Sequence, residues 1–177
     1  MAIKNDLVGG TDWAEEGLKP TDINETFDAT IKQMHYKLFE EATEDTQTGG
    51  NSFVDVVDGS FTISSSTGII LGITVRCELK TSSGGALAQV SFQATGTTLG
   101  TKYLSLDAGW TEVANDVTFT NNSTSYVEEY ITLSEPLALA DATTTLKYRF
   151  RISNGTYIAS IKNMEVKVTY IDNYTTD

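Results

Sequence analysis

The chain is poor in the side chains that carry most protein chemistry. Its 177 residues include one cysteine, Cys77, and one histidine, His35. A single cysteine cannot form an intrachain disulfide, and the alternating stretch around Cys77 predicts a small buried thiol in a strand. This scarcity excludes zinc sites built from Cys and His, and it leaves His35 as the sole base for a Cys-His or Ser-His-Asp arrangement. We therefore expect a protein that is not an enzyme and that needs no cofactor or metal ion.

Positive charge is scarce as well. Twelve Lys and Arg residues face 24 Asp and Glu residues, for a net charge of −12 and a pI of about 4.4. Phosphate backbones and anionic lipid surfaces would repel such a chain, so nucleic-acid binding is not expected. The sequence has no apolar run of about 18 residues, and the N-terminus MAIKNDLVGG lacks the apolar core of a secretory signal. These features predict a soluble protein, without membrane insertion, that starts in the cytoplasm of the cell that makes it.

One stretch, EEGLKPTDINETFDATIKQMHYKLFEE at residues 15–41, has the pattern of a good helix. Thr21 is a favourable N-cap residue behind Pro20, and Asp22 and Glu25 place negative charge in the first turn. Apolar residues then recur at helical spacing and form one stripe: Ile23, Phe27, Ile31, Met34 and Leu38. The spacing predicts an amphipathic α-helix.

The apolar stripe of this helix must be buried, because an isolated helix of this length is marginal in water. It packs either on the β domain of the same chain or, through its C-terminal part, in a short coiled-coil-like seam between identical chains that is formed by Phe27, Ile31, Met34 and Leu38. A Gly-Gly pair at residues 49–50 follows as a flexible joint. We therefore divide the chain into an N-terminal segment, residues 1–50, and a β domain, residues 51–177.

From Asn51 onward the hydrophobic period changes from 3.6 to 2. Short runs rich in Val, Ile, Thr, Tyr and Phe alternate with Gly, Asn, Ser and Asp turns. Asn154-Gly155 predicts a hairpin between residues 150–153 and 156–161. The sequence contains about eight to ten such strands, and no helical pattern lies between them. Turns at this spacing are typical of all-β domains and predict an antiparallel β-sandwich of the jelly-roll type.

Alternation within two predicted strands assigns their faces. In LKYRFRI the apolar residues are expected to face the core: Leu146, Tyr148, Phe150 and Ile152. The basic residues between them are expected to face outward: Lys147, Arg149 and Arg151. In EVKVTYI one face is shared by Val166, Val168 and Tyr170.

The segment DWAEEGLKPTDINETFDATI, residues 12–31, resembles the short N-terminal segment of many tailed-bacteriophage virion proteins. These are tail-fibre, baseplate-appendage and head-fibre proteins, in which an aromatic residue, a Gly-containing turn and a Leu-x-x-x-Asp-Leu/Ile-Asn-x-Thr-Phe helix start recur. The match is carried by Trp13, Gly17, Leu18, Asp22, Ile23, Asn24, Thr26 and Phe27. Lys19, Pro20 and Thr21 replace the small residues usual before the Asp.

The resemblance implies a structural protein of the virion, assembled in the host cytoplasm. In such proteins the N-terminal segment joins the appendage to the particle, often as a trimer, while a β-rich C-terminal domain faces the host or neighbouring subunits. It thus implies a homotrimer that contacts other virion proteins, with a capsid decoration or cement protein as the architectural variant. Large apolar anchors supply most binding energy in interfaces. The expected attachment and oligomerisation residues are Trp13, Leu18, Ile23, Phe27, Ile31, Met34 and Leu38.

A carbohydrate-binding module is the rival interpretation, because exposed aromatic side chains can stack on sugar rings. Aromatic residues near predicted loops and strand ends are the candidate contacts to a host-surface glycan: Tyr103, Trp110, Tyr126 and Tyr130. A glycoside hydrolase would need two carboxylates that face each other in a cleft. Glu128 with Glu129, or Asp107 with Glu112, could supply such a pair, but we interpret these four residues as solvated charge.

Overall fold

The structure is a computed structural model and describes residues 4–5, 11–12, 34–64 and 68–171. The chain divides into two units, Met1–His35 and Tyr36–Asp177. The sequence placed this division later, between residues 50 and 51. In the first unit, strands β1 (Lys4–Asn5) and β2 (Thr11–Asp12) form an antiparallel pair.

The other described strands are short to medium in length and follow one another without an intervening helix in the described ranges. They are β3 Met34–Glu41, β4 Asp45–Thr48, β5 Val54–Ile63, β6 Gly68–Thr81, β7 Ala88–Gly96, β8 Gly100–Ser105, β9 Gly109–Thr111, β10 Phe119–Asn121, β11 Val127–Leu133, β12 Leu137–Leu139, β13 Thr144–Ile152 and β14 Ile158–Ile171. No helix within these ranges is long and apolar enough to cross a membrane.

These strands form two sheets. The first sheet has the order β5-β13-β7-β8-β9, with β10 also paired to β7. The second sheet has the order β11-β6-β14-β3, with β12 also paired to β6 and β4 to β14. The central pairings, β13 with β7 and β14 with β6, are antiparallel. The described residues thus confirm a mainly β, antiparallel sandwich.

The core is formed by the inward faces of the two sheets. Leu146, Tyr148, Phe150 and Ile152 of β13 are all at most 2% exposed, which confirms their predicted orientation. Val166 and Val168 of β14 are buried, and Tyr170 packs against the same core. Cys77 of β6 is a buried free thiol, as predicted. Burial raises its pKa, so it is held as the unreactive thiol.

The predicted hairpin at Asn154-Gly155 is wrong, although a turn is present. The Asn154 side-chain and backbone carbonyl oxygens accept hydrogen bonds from the amides of Thr156 and Tyr157. However, β13 belongs to the first sheet and β14 to the second. Both strands carry an apolar face, and each face is buried when the strands lie across the core from one another.

The prediction of a helix is also wrong for residues 34–41, which form β3 at the edge of the second sheet. Met34 and Leu38 are four residues apart, and this spacing places them on one face of a helix and equally on one face of a strand. Phe39 on the opposite face stacks on Phe61 with 5.2 Å between ring centroids. Burial of Phe39 requires the strand. The remainder of the predicted helix, residues 15–33, lies outside the described residues.

Candidate functional site

The candidate site lies on the outer face of the second sheet. Along β3, Met34, Tyr36 and Leu38 are 49%, 63% and 44% exposed, whereas the residues between them are half-buried. Three large apolar side chains therefore point outward from one edge strand. Exposed apolar side chains on an edge strand make this strand a candidate contact region.

Neighbouring strands continue this face with small and hydroxyl-bearing residues. In the register of the sheet, Thr74 of β6 lies opposite Thr132 of β11 and Lys167 of β14, and Gly72 lies opposite Thr169. These residues surround a shallow depression of about 270 Å³, which we call the Tyr36 hollow. Its lining is Tyr36, Gly72, Ile73, Thr74, Thr132, Leu133, Ser134, Lys167 and Thr169.

Gly72 accounts for the depth of the Tyr36 hollow. A Cβ placed on Gly72 would have one atom within 4 Å, the Leu133 carbonyl oxygen at 3.7 Å. That distance is ordinary van der Waals contact, and the Gly72 backbone is not in the left-handed region. The fold therefore does not require glycine at this position, and the missing side chain leaves the space open.

The charged groups near the hollow are paired. The Lys167 Nζ lies 2.9 Å from the Glu165 Oε1, and this contact raises the pKa of Lys167. Arg76 forms an ion pair with Glu128, which likewise raises the Arg76 pKa. Lys167 and Arg76 are therefore each offset by a neighbouring carboxylate.

A second depression, of about 350 Å³, lies farther along the same face and is strongly acidic. Its lining is Glu40, Glu41, Ala42, Arg76, Glu78, Asn163, Met164 and Glu165. The Asn163 amide and Lys162 lower the pKa of Glu78, and Thr43 lowers the pKa of Glu41. These carboxylates stay ionised at neutral pH, which is unsuited to a general acid. Within the described ranges, no group of three His, Cys, Asp or Glu side chains is arranged to hold a metal ion.

The structure separates the four aromatic residues predicted to contact a glycan. Tyr103 and Trp110 belong to the first sheet, on β8 and β9. Trp110 lies opposite Leu104, the neighbour of Tyr103, so the two rings are on opposite faces. Trp110 packs against the core. These two residues therefore do not form one platform.

The other two aromatic residues lie beside the second sheet. Tyr126 is half-buried, and the Lys80 and Lys162 ammonium groups are each 4.2 Å from its ring centroid. Burial and Glu44 raise the pKa of the Tyr126 hydroxyl. Tyr130 is 66% exposed on β11, opposite Arg76, and does not line the hollow. Sequence reasoning missed Tyr36, because its segment was assigned to a helix. The alternation in MHYKLFEE is the signal that could have revealed it.

The candidate carboxylates Glu128 and Glu129 do not face each other across a cleft. Glu128 and Glu129 are consecutive in β11 and therefore point to opposite faces. Glu128 pairs with Arg76, whereas Glu129 accepts a 3.1 Å hydrogen bond from Asn121, and burial raises the pKa of Glu129. Glu112 pairs with Lys102, which lowers the Glu112 pKa.

Of the seven predicted attachment residues, the structure describes two. Met34 and Leu38 lie on the exposed face of β3 and are not part of a helix. The other five lie outside the described residues: Trp13, Leu18, Ile23, Phe27 and Ile31.

No protein-family model and no curated protein matches the chain. Among solved structures, it is similar to one of the infectious bursal disease virus Gx strain, with 11% identity and a TM-score of 0.44 over 80% of this chain and 37% of that chain. The T13 particle of the same virus gives 12% identity and a TM-score of 0.43 over 81% of this chain and 36% of that chain. Its VP2 subviral particle gives 14% identity and a TM-score of 0.37, with 81% and 37% covered.

The chain thus spans little more than a third of the length of these viral-particle proteins. All three TM-scores are below 0.5.

Proposed function

We propose that the chain is a non-enzymatic structural protein of a virion, a tail or head appendage of a tailed bacteriophage. The resemblance of residues 12–31 to phage attachment segments supports this proposal. The observation that carries it is the row of Met34, Tyr36 and Leu38 on the outer face of edge strand β3. The chain is strongly acidic, with a net charge of −12, and still leaves this apolar row exposed to solvent. Contact with a partner protein or surface accounts for such a row.

The proposal assigns one role to the residues upstream of β3 and another to the second sheet. Residues upstream of β3 join the protein to the particle and to two further copies, with Phe27 and Ile31 in the seam between chains. Met34 and Leu38 leave that seam, because β3 places them on the sheet. The outer face of the second sheet then meets the host surface or a neighbouring subunit.

The carboxylates support the non-enzymatic part of the proposal. Glu128 and Glu129 point to opposite faces of β11, and Glu78 in the acidic depression has a lowered pKa. A glycoside hydrolase needs a protonated and an ionised carboxyl group facing one substrate. Glu128 and Glu129 therefore do not face one substrate together.

The assembly part is tested by the solution mass of the full chain and of three variants, measured by light scattering. We expect a trimer for the unchanged chain and for Leu38→Asp, since Leu38 lies on the sheet. Phe27→Asp and Ile31→Asp should yield monomers, because a charge in the seam is costly to bury. Circular dichroism checks that each variant keeps its β structure.

Two results would contradict this assignment. A monomeric unchanged chain would remove the self-assembly role. Dissociation by Leu38→Asp, with no effect of Phe27→Asp or Ile31→Asp, would move the interface to the outer face of the second sheet.

The position on the particle is tested by deleting the protein from the virus. Loss of an appendage should reduce adsorption to host cells and leave the head stable to heating. A capsid decoration protein would show the opposite pattern, with fragile heads and normal adsorption.

A further inference from the structure

We infer that the Tyr36 hollow binds a neutral hexose unit of a host-surface glycan. This inference rests on the proposed function, because it names the ligand of the sheet face that the proposal turns outward. It departs from the sequence-based interpretation, which placed glycan contacts at four other aromatic residues.

The hydroxyl groups of the hollow match a ligand that is rich in hydroxyl groups. Thr74, Thr132, Ser134 and Thr169 each supply a hydroxyl that can both donate and accept a hydrogen bond. The Thr74 and Thr132 Oγ1 atoms lie 3.0 Å apart, at the spacing of a mutual hydrogen bond. A sugar ring, whose hydroxyls also donate and accept, can bond to several of them.

Tyr36 supplies the apolar contact that a sugar ring also needs. Its side chain is 63% exposed and stands at the β3 side of the hollow. An aromatic ring with an apolar face and a polar tip suits the C–H face of a hexose. The volume of about 270 Å³ lies just below the lower end of the roughly 300–1,000 Å³ of typical ligand pockets, so we expect a single ring to be bound.

The charges favour a neutral sugar over an acidic one. Lys167, the cation in the lining, is paired with Glu165, and Arg76 nearby is paired with Glu128. The chain as a whole carries a net charge of −12, which repels sialylated or sulfated glycans.

Gly72 provides a variant that fills the hollow without disturbing the fold. A Cβ there meets the Leu133 carbonyl oxygen at 3.7 Å, an ordinary contact distance, and valine is favoured in strands. Gly72→Val should therefore leave the melting temperature within a few degrees of the unchanged chain while occupying the space of the sugar.

The experiment uses the full chain, ¹⁵N-labelled, titrated with the methyl glycosides of glucose, galactose and mannose. We expect at least one of them to shift the amide signals of residues 72, 74, 132 and 169 in a saturable manner. Gly72→Val and Tyr36→Ala should each weaken that binding at least tenfold. Tyr130→Ala is the matched control, since Tyr130 is an exposed tyrosine on the same face but outside the lining, and it should bind as the unchanged chain does.

Three results would overturn the inference. They are the absence of saturable shifts with all three glycosides, unchanged binding in Gly72→Val and Tyr36→Ala, and an equal loss of binding in Tyr130→Ala.

If sugars fail to bind while the chain is a trimer found in virions, the hexose inference falls and the proposed function stands. If a sugar binds as expected but the chain is absent from virions, the proposed function falls and the site stands.

Discussion

The buried hydroxyl group of Tyr148 is one of the groups that join the two sheets by hydrogen bonds. Tyr148 of β13 is 1% exposed, and its Oη lies 2.7 Å from the Arg76 carbonyl oxygen and 2.9 Å from the Glu165 carbonyl oxygen. Arg76 and Glu165 are paired with each other at one end of a register shift in β14, between Lys162 and Glu165, where the regular ladder between β14 and β6 is interrupted. The Tyr148 hydroxyl thus provides a donor beside the interrupted ladder.

Tyr148→Phe should lower the free energy of unfolding by about 1–3 kcal/mol, because it removes a buried donor whose one proton is shared between two carbonyl oxygens. Urea unfolding followed by fluorescence measures this loss. Tyr130→Phe removes the hydroxyl of a tyrosine that is 66% exposed, and it should have almost no effect. Equal stability of both variants would show that the cross-sheet hydrogen bond does not stabilise the fold.

Asn163 illustrates why such a bulge cannot be located from sequence. Its φ is 48°, in the left-handed region that asparagine tolerates better than most residues, and its side-chain amide donates to the Glu78 Oε1 at 2.8 Å. An asparagine inside a strand pattern is compatible with a turn, an exposed strand position or a bulge. The partner strand decides among them.

At the scale of elements, the two faces of β3 have different roles. Phe39 stacks on Phe61 and packs against the core, while Leu38, its neighbour, is 44% exposed. The inward face thus attaches the strand to the sandwich. The outward face leaves Met34, Tyr36 and Leu38 exposed.

Phe39→Ala should lower the free energy of unfolding by about 2 kcal/mol, since it removes a half-buried ring and its stacking contact with Phe61. Leu38→Ala should change it by less than about 0.5 kcal/mol, as is usual for exposed positions. Chemical denaturation of both variants compares the two faces directly. A larger effect at Leu38 would mean that residues 34–41 do not form the strand described above.

The strands with clean alternation could be predicted residue by residue, and those without it could not. Leu146 to Ile152 alternate strictly because one face of β13 meets the core and the other does not. The spacing of Met34 and Leu38 could not distinguish a strand from a helix, because an interval of four residues places two side chains on the same face of either element. The Tyr36 hollow could not be predicted, since its lining comes from four strands that are distant in sequence.

At the scale of the whole molecule, the acidic composition makes stability dependent on pH. Most carboxylates repel one another in a chain with a net charge of −12, but Asp141 stabilises the fold in its ionised form. It accepts hydrogen bonds from the Leu99 amide at 2.8 Å and the Thr98 amide at 2.7 Å, which lower its pKa. A Cβ on Gly96 would collide with this carboxylate, so the turn between β7 and β8 is shaped around it.

Asp141→Asn should lower the melting temperature at neutral pH, because an amide nitrogen cannot accept the second hydrogen bond. Since the folded-state pKa lies below the unfolded value of about 3.9, the contribution of Asp141 is fully present above that value. It is lost as the pH falls through the folded-state pKa. The gap between Asp141→Asn and the unchanged chain should therefore be widest above about pH 5 and close in acid.

Calorimetric scans from pH 7 down to pH 2 measure this gap. Asp107→Asn, an equal change of charge on an exposed loop, is the control and should show no such closure. A gap of constant size for Asp141→Asn would indicate that the carboxylate does not act through its ionised form.

The sequence by itself determined the class of the sandwich, the burial of Cys77 and the inward face of β13, because each depends on local alternation between apolar and polar residues. Tertiary structure alone decided that residues 34–41 extend the second sheet, where Phe39 packs against the core and stacks on Phe61 of the first sheet. It also decided which strands are neighbours. The bulge that receives the Tyr148 hydroxyl and the hollow beside Tyr36 both arise from that arrangement, because contacts across strands are set by the packing of whole sheets.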